Sequence, residues 1–393
     1  MAKEGKPAAR VSQGTLSVER YAFDGGLPTG ACAASCSAFE QRGPLVDLAP
    51  SSPDSLEGAV VIFASGSWYV AWGGRPDHVG LLQRFTADGA IAGPTMRIDG
   101  VTPFHFVWSE ANGGELVLVS WVDQAPTPGG ITQAVHRFSP ALEPRGAPWL
   151  VRGPDRAIGP HTVVTSSGVL VSTIRARDFI REISIALAAS PGDVASIRDL
   201  PVRAPPTYFD FLEWNGDYVT PALGGGSVVL RSSGFARPGR VTEIPMAGVK
   251  ASTRSSVFLA KQGDSLWALA LSGQPGASSA LMELRGTPLK ASRPLEFAHV
   301  DQNTSMLTSF AGTLFMSGSS SVFGAPKSPS LVPFDQKQKA WCPATAFRLG
   351  ESADSHEAFL GSYANGDELG VALHVWGREG KPRLFFTRVG CKR

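Results

Sequence analysis

Residues 58–98 read GAVVIFASGSWYVAWGGRPDHVGLLQRFTADGAIAGPTMRI. Four short apolar runs alternate here with small polar turns at Ser65-Gly66 and Asp88-Gly89 and with a longer polar loop. Runs of branched and aromatic residues bounded by Gly, Asp and Pro are typical of β-strands joined by tight turns. The segment therefore predicts one antiparallel sheet of four strands.

The same order of runs and turns recurs along the chain. Seven turn glycines follow one another at intervals of 47 to 54 residues: Gly66, Gly114, Gly168, Gly216, Gly263, Gly312 and Gly366. One run with the character of a third strand follows each glycine: LLQRF, AVHRF, EISIAL, SVVLR, SALMEL, PSLVPF and RLFFTRV. A four-stranded unit with this period is typical of β-propellers. The sequence predicts an all-β fold and a seven-bladed β-propeller, with six or eight blades as alternatives.

The last repeat lacks a fourth strand of its own. Residues 43–48 read like the fourth strands of other repeats, so we expect this N-terminal strand to close the ring in the last blade, because an open ring exposes two sheet edges. A further strand-like run at 16–23 is suited to an outer edge. The predicted organisation is an N-terminal extension, residues 1–42 and partly disordered, followed by a single propeller domain, residues 43–391.

The composition excludes some classes of protein. The 393 residues carry a net charge of +2, with 18% charged residues and no Lys/Arg cluster, which argues against nucleic-acid binding. No apolar run reaches the roughly 18 residues that cross a bilayer. Residues 1–10 lack the apolar centre of a signal peptide, but four cysteines in a Ser-, Gly-, Pro- and Ala-rich chain favour a secreted, periplasmic or cell-surface protein whose signal has been removed.

The four cysteines fall near the predicted meeting point of the two ends of the propeller. They are Cys32, Cys36, Cys342 and Cys391. An even number of cysteines in an exported chain favours two disulfides, whose connectivity the sequence leaves open. A four-cysteine zinc site is the alternative, disfavoured because the spacing differs from that of paired zinc knuckles.

Six of the seven histidines fall near one face of the predicted propeller. His105, His161 and His356 stand at first strands, where imidazoles can hold a divalent metal. Three more candidates for the same face are Tyr208 and His299, which could move a proton, and Asp210, which could bind a ligand. The alternative is a set of unrelated loop residues that share no site.

Three arginines around one aspartate form a second candidate binding site. Arg175, Arg177 and Arg181 surround Asp178 in the third repeat, and guanidinium groups grip carboxylates with paired hydrogen bonds. The alternative is a solvated loop.

The combination of WYVAW, QRF, Asp88-Gly89 and a following Gly-Pro resembles a repeat of secreted bacterial β-propeller proteins. The resemblance covers the first two repeats, and beyond Gly153 only the spacing and the strand order persist. It implies an extracytoplasmic propeller and gives no activity.

No GxSxG elbow, P-loop, HExxH, CxxC or EF-hand loop occurs in the sequence. We therefore expect a non-catalytic propeller that binds a protein or glycan partner through its loop-rich face. One alternative is a metal-dependent polysaccharide lyase or hydrolase with a histidine-lined site at the channel mouth, because seven-bladed polysaccharide lyases are similar in architecture. The other is a structural scaffold or surface component.

Overall fold

A computed structural model describes most of the chain. The described residues are 10–11, 15–22, 26–28, 31–48, 55–75, 79–109, 114–122, 131–152, 157–165, 168–177, 180–188, 197–204, 212–214, 217–224, 227–234, 241–250, 256–271, 278–286, 289–297, 306–319, 328–349, 356–376 and 382–392. Every regular element among them is a β-strand. Accordingly, none of these residues belongs to a helix that could cross a membrane.

Four short strands precede the first complete sheet: β1 (Arg10–Val11), β2 (Ser17–Tyr21), β3 (Phe39–Gln41) and β4 (Val46–Asp47). Sheet 1 contains β5 (Ser55–Ala64), β6 (Ser67–Arg75), β7 (Val79–Thr86) and β8 (Met96–Asp99). Sheet 2 contains β9 (Val101–Ser109), β10 (Glu115–Val122), β11 (Ile131–Phe138) and β12 (Trp149–Arg152). Sheet 3 contains β13 (Ala157–Thr165), β14 (Gly168–Arg177), β15 (Ile180–Ala188) and β16 (Ile197–Ala204).

Sheet 4 contains β17 (Leu212–Trp214), β18 (Asp217–Gly224), β19 (Ser227–Gly234) and β20 (Val241–Lys250). Sheet 5 contains β21 (Ser256–Gln262), β22 (Ser265–Leu271), β23 (Ser279–Arg285), β24 (Lys290–Ala291) and β25 (Leu295–Phe297). Sheet 6 contains β26 (Met306–Phe310), β27 (Thr313–Ser319), β28 (Pro329–Asp335), β29 (Ala340–Trp341) and β30 (Ala344–Arg348). Sheet 7 contains β31 (His356–Asn365), β32 (Glu368–Trp376) and β33 (Arg383–Cys391).

Each sheet is an antiparallel meander, and the seven sheets follow one another along the chain. Each of the seven runs expected to be a third strand is the third strand of one sheet. In sheets 1, 2, 5, 6 and 7 the turn glycine before the second strand has positive φ, as at Gly66 (70°) and Gly366 (60°). Glycine adopts this conformation without steric cost, which is why the turns recur at glycines.

The preceding strands join the last two sheets. In sheet 7, β4 pairs with β33, opposite Phe385 and Phe386, while β1 adds outside β4. The strand β3 pairs with the far end of β33, where Phe39 faces Cys391. In sheet 6, β2 pairs along the whole of β30, so the run expected at an outer edge lies at one. Residues 10–47 thus supply strands to two sheets that the C-terminal part of the chain begins.

The hydrophobic core lies between neighbouring sheets. Between sheets 1 and 7, Trp68, Phe85 and Phe386 are fully buried in one cluster. Gly370 permits this close approach, because a Cβ there would lie 2.4 Å from Cζ3 of Trp68. Burial on both faces explains why the strands read as nearly continuous apolar runs.

Candidate functional site

Two disulfides connect the N-terminal segment to the last two sheets. Cys32 is bonded to Cys342 and Cys36 to Cys391, across 310 and 355 residues of sequence. No cysteine is free. The prediction of two disulfides is confirmed, and the zinc alternative for the four cysteines does not agree with the structure.

One group of potential metal ligands lies at the first disulfide. The sulfur atoms of Cys32 and Cys342 and a carboxylate oxygen of Asp335 lie within 4.8 Å of one another. The sulfurs are bonded to each other, however, and metals bind thiolates. The Asp335 carboxylate accepts hydrogen bonds from the backbone N–H groups of Ala33 (2.8 Å) and Gln338 (3.0 Å). The donor set therefore does not fit a metal ion.

The environment of Asp335 supports a structural role. Burial opposes its ionisation, but hydrogen bonds from the backbone N–H groups of Gln338, Ala33 and Lys337 and from the Gln338 amide outweigh that effect, so its pKa lies below the ordinary value. The carboxylate holds the tight turn of residues 336–339 and the N-terminal segment together.

The backbone of the three candidate metal-binding histidines is described. His105 lies on β9 opposite Val119, and His161 lies on β13 opposite Ser172. Both positions are the fourth residue before the end of their first strand, and both adjoin a β-bulge. The two histidines therefore occupy equivalent positions in adjacent sheets.

The third histidine lies at a different level. His356 is the first residue of β31, opposite Trp376, and stands nine residues before the strand's end at Asn365. A difference of five residues corresponds to roughly 16 Å along a strand. The structure thus brings His105 and His161 to one level and places His356 at another.

The remaining candidates are only partly covered. Tyr208, Asp210 and His299 lie outside the described residues. Arg175 and Arg177 lie on β14 and Arg181 on β15, where Ala176 faces Arg181 and Arg177 faces Ile180. The three arginine positions therefore share the end of one hairpin.

Two other histidines are half-buried and lie on a third and a second strand. His136 lies on β11 with its ring stacked near that of Phe138, at 6.3 Å and 12°, and His374 lies on β32. Burial lowers the pKa of each to about 4. Both imidazoles are neutral at pH 7, as expected for packed residues.

Sequence reasoning missed a cavity between sheets 5 and 6. Its volume is about 1120 Å³, and six of its lining residues are Trp267, Glu283, Arg285, Arg293, Phe334 and Lys339. These residues come from strands and a turn of two successive repeats. No local pattern brings them together, because they belong to two different sheets.

Comparison with known proteins gives a fold and no family. No known family profile matches the sequence, and no curated protein matches it. A polysaccharide lyase structure is 10% identical, with 97% of this chain and 99% of that chain covered and a TM-score of 0.50.

Two further similar structures have lower TM-scores. An oligogalacturonate lyase in complex with manganese is 12% identical over 96% of this chain and 97% of that chain, with a TM-score of 0.49. A prolyl endopeptidase is 12% identical over 86% of this chain, with a TM-score of 0.47, and this chain spans about half of its length. At such identities a likeness shows the fold alone. The protein has an all-β, propeller-like fold built of antiparallel sheets.

Proposed function

We propose that the seven sheets are the blades of one closed propeller. Successive sheets contact one another, and β5 of sheet 1 contacts both β9 of sheet 2 and β31 of sheet 7. The pairing of β4 with β33 adds an N-terminal strand to the last sheet, as ring closure requires. The first strands then line the central channel, the usual place for a ligand site in this architecture.

We propose that the protein is a metal-dependent enzyme, a lyase or hydrolase, that acts on an extracellular polysaccharide. The observation that carries this proposal is the equivalent placement of His105 and His161 beside bulges in adjacent first strands. Bulges re-aim side chains and occur frequently next to active sites. Histidines at equivalent positions of two adjacent strands are suitable ligands for a divalent metal.

Each residue has a distinct part in this mechanism. A divalent metal supplies charge stabilisation to an oxygen of the substrate beside the bond that breaks. His105 and His161 are its proposed ligands, and Asp210 offers an oxygen ligand from the fourth repeat. Tyr208 or His299 exchanges a proton with the sugar. His356 is left out of this set because of its distance along the strand.

Two observations support an exported enzyme that acts on a polysaccharide. Disulfides persist in oxidising compartments, so the two bridges favour an exported protein, secreted, periplasmic or at the cell surface. The fold is shared with a polysaccharide lyase, which shows that this architecture accommodates such chemistry.

The test is elemental analysis of protein purified without chelators, compared with a His105→Ala/His161→Ala variant. We expect about one divalent ion per chain in the parent and loss of it in the variant, with a His356→Ala control retaining its metal. Metal in the double variant contradicts the proposed ligands. Absence of metal from the parent contradicts the enzyme proposal and favours non-catalytic binding of a protein or glycan, or a scaffold role.

A further inference from the structure

The turn between the third and fourth strands of a sheet can dock on the preceding sheet. Between sheets 1 and 2 the hydroxyl of Tyr69 donates a hydrogen bond of 2.8 Å to the carbonyl of Pro140 in that turn. Tyr69 is fully buried, and burial raises the pKa of its hydroxyl, which keeps it a donor. The docked turn leaves no room for solvent around this side chain.

The seam between sheets 7 and 1 is filled in a similar way. Arg388 of sheet 7 donates a hydrogen bond of 2.8 Å to the carbonyl of Ala87, in the corresponding turn of sheet 1. The indole of Trp68 donates to the same carbonyl at 3.2 Å. Here too the turn lies directly against its neighbour.

The turn at the seam between sheets 5 and 6 bonds to the N-terminal segment and to the end of β21 in sheet 5, and it receives no hydrogen bond from Trp267. The residue equivalent to Tyr69 is Trp267, the third residue of β22, and the turn comprises residues 336–339. Gln338 donates to the carbonyl of Ala31 at 2.6 Å, and Asp335 binds the N–H of Ala33, so the N-terminal segment holds one side of the turn. The other side bonds through Gln336 to the end of β21. The cavity of about 1120 Å³ opens in front of Trp267.

The floor of this groove is aromatic. The rings of Trp267 and Phe334 lie 5.8 Å apart at 62°. Trp267 is 7% exposed, and its buried indole N–H has no hydrogen-bond partner among the described residues. A buried donor without a partner costs free energy, so a ligand or water that reaches it is stabilised.

The rim mixes cations and acids. Glu283 is engaged by Arg285 and by the hydroxyl of Ser265, both at 2.6 Å. Arg293 and Lys339 form no ion pair within the described part of the chain. Glu296 is the second acid of the rim, beside Glu283. The rim therefore carries three cationic side chains and two acidic ones.

We propose that this groove binds a carboxylated oligosaccharide. Carboxylates suit the cations Arg293 and Lys339, while sugar hydroxyls can donate to Glu283 and Glu296 over an aromatic floor. A peptide of acidic residues also offers carboxylates to the cations, but it carries no hydroxyl groups that could donate to the two glutamates. The groove lies between sheets 5 and 6, apart from His105 and His161 on sheets 2 and 3, and its occupancy requires no metal.

The test is titration calorimetry with a linear tetrasaccharide of galacturonic acid. The parent for this titration is the full chain with His105→Ala/His161→Ala, and EDTA is present. The proposed metal site then cannot contribute to binding, so a result on the groove is independent of whether the metal proposal is correct. The groove variant is Arg293→Gln/Lys339→Gln. The control, Arg20→Gln/Lys392→Gln, removes the same two kinds of charge from exposed positions away from the groove.

We expect the groove variant to bind about tenfold or more weakly and the control to bind within about twofold of its parent. The fully methyl-esterified tetrasaccharide, which lacks the charges, should bind the parent about tenfold more weakly as well. The proposal is overturned if the parent does not bind the acid form at about 1 mM. It is also overturned if the groove variant binds unchanged, or if a hexaglutamate peptide competes as well as the saccharide.

Discussion

Arg388 on β33 and Glu368 on β32 form a diagonal ion pair, with Nη1 of the guanidinium 2.6 Å from Oε2 of the carboxylate. The same guanidinium donates to the carbonyl of Ala87 in sheet 1 and, at 2.7 Å, to the carbonyl of Arg42 in the N-terminal segment. The side chain of Arg388 is 9% exposed. One arginine therefore connects the first sheet, the last sheet and the segment that precedes both.

Arg388→Met should destabilise the protein by about 2 to 4 kcal/mol, because it leaves the partly buried carboxylate of Glu368 and the carbonyl of Arg42 without this donor and removes one of the two donors to the carbonyl of Ala87. Urea unfolding measures the change. The control is Arg97→Met, which removes an exposed pair with Asp99 and should cost about 0.5 kcal/mol or less. Equal losses in the two variants would show that the Arg388 contacts add nothing beyond a surface ion pair.

The two disulfides should stabilise the fold non-additively. Cys36→Ser/Cys391→Ser leaves the Cys32–Cys342 bridge in place. With that bridge intact, the Cys36–Cys391 bond closes a loop of only about 50 residues, so its removal should lower the free energy of unfolding by about 4 kcal/mol. Removing the second bridge then opens a loop of more than 300 residues and costs about 5 to 6 kcal/mol more. Denaturant unfolding of the single-bridge and bridge-free variants checks this order, and a smaller second loss would contradict it.

Gly370→Ala should disturb the seam between sheets 7 and 1. The new Cβ would meet the ring of Trp68 at 2.4 Å and a methyl group of Val61 at 3.1 Å, in a part of the core without free space. We expect a loss of about 1 to 3 kcal/mol in thermal or urea unfolding. Gly58→Ala is the matched control, since its Cβ would make an ordinary contact of 3.7 Å with Pro103, and a comparable loss there would refute the steric explanation.

Stability should fall as the pH is lowered from about 6.5 towards 4. The pKa of His136 is about 4 in the folded protein and near 6.5 in the unfolded chain, so the unfolded state binds more protons in this window. The stabilisation is complete above pH 6.5, and on the order of 1 to 3 kcal/mol is lost at pH 4, with allowance for the partial exposure of the ring.

His136→Gln, measured by urea unfolding at pH 7 and pH 4.5, should show a weaker pH dependence than the parent. His374 contributes in the same direction, because burial also lowers its pKa to about 4. If the pH dependence of the unfolding free energy is the same in His136→Gln as in the parent, protonation of His136 does not contribute to it.

The repeat could be predicted because its strands and turns depend on residues that are close together in the sequence. Turn glycines such as Gly66 and Gly366 need positive φ, and the runs between them have the length and composition of strands, so the order of strands in each sheet follows from the sequence. The contribution of β4 to the last sheet also followed, because residues 43–48 repeat the pattern of other fourth strands. Local chemistry carried both predictions.

The pairing of the cysteines and the groove could not be predicted, because each depends on distances between parts far apart in sequence. Four cysteines permit three pairings, and only the backbone path decides that Cys36 meets Cys391. The groove lies between Trp267 of sheet 5 and the turn of residues 336–339 in sheet 6, which Asp335 bonds to Ala33 of the distant N-terminal segment. The level of His356 relative to His105 depends on strand lengths and bulges, whose exact positions a sequence pattern does not give.

Residues 31–48 are synthesised long before the C-terminal residues that they contact. Arg42 is made 346 residues before the arginine that binds its carbonyl, which at 5 to 20 residues per second is a delay of roughly 20 to 70 seconds. Throughout that interval β4 has no β33 to pair with, and Cys36 has no Cys391 to bond. The nascent chain can assemble its earlier sheets in order, but sheet 7 can be completed only after β33 has left the ribosome.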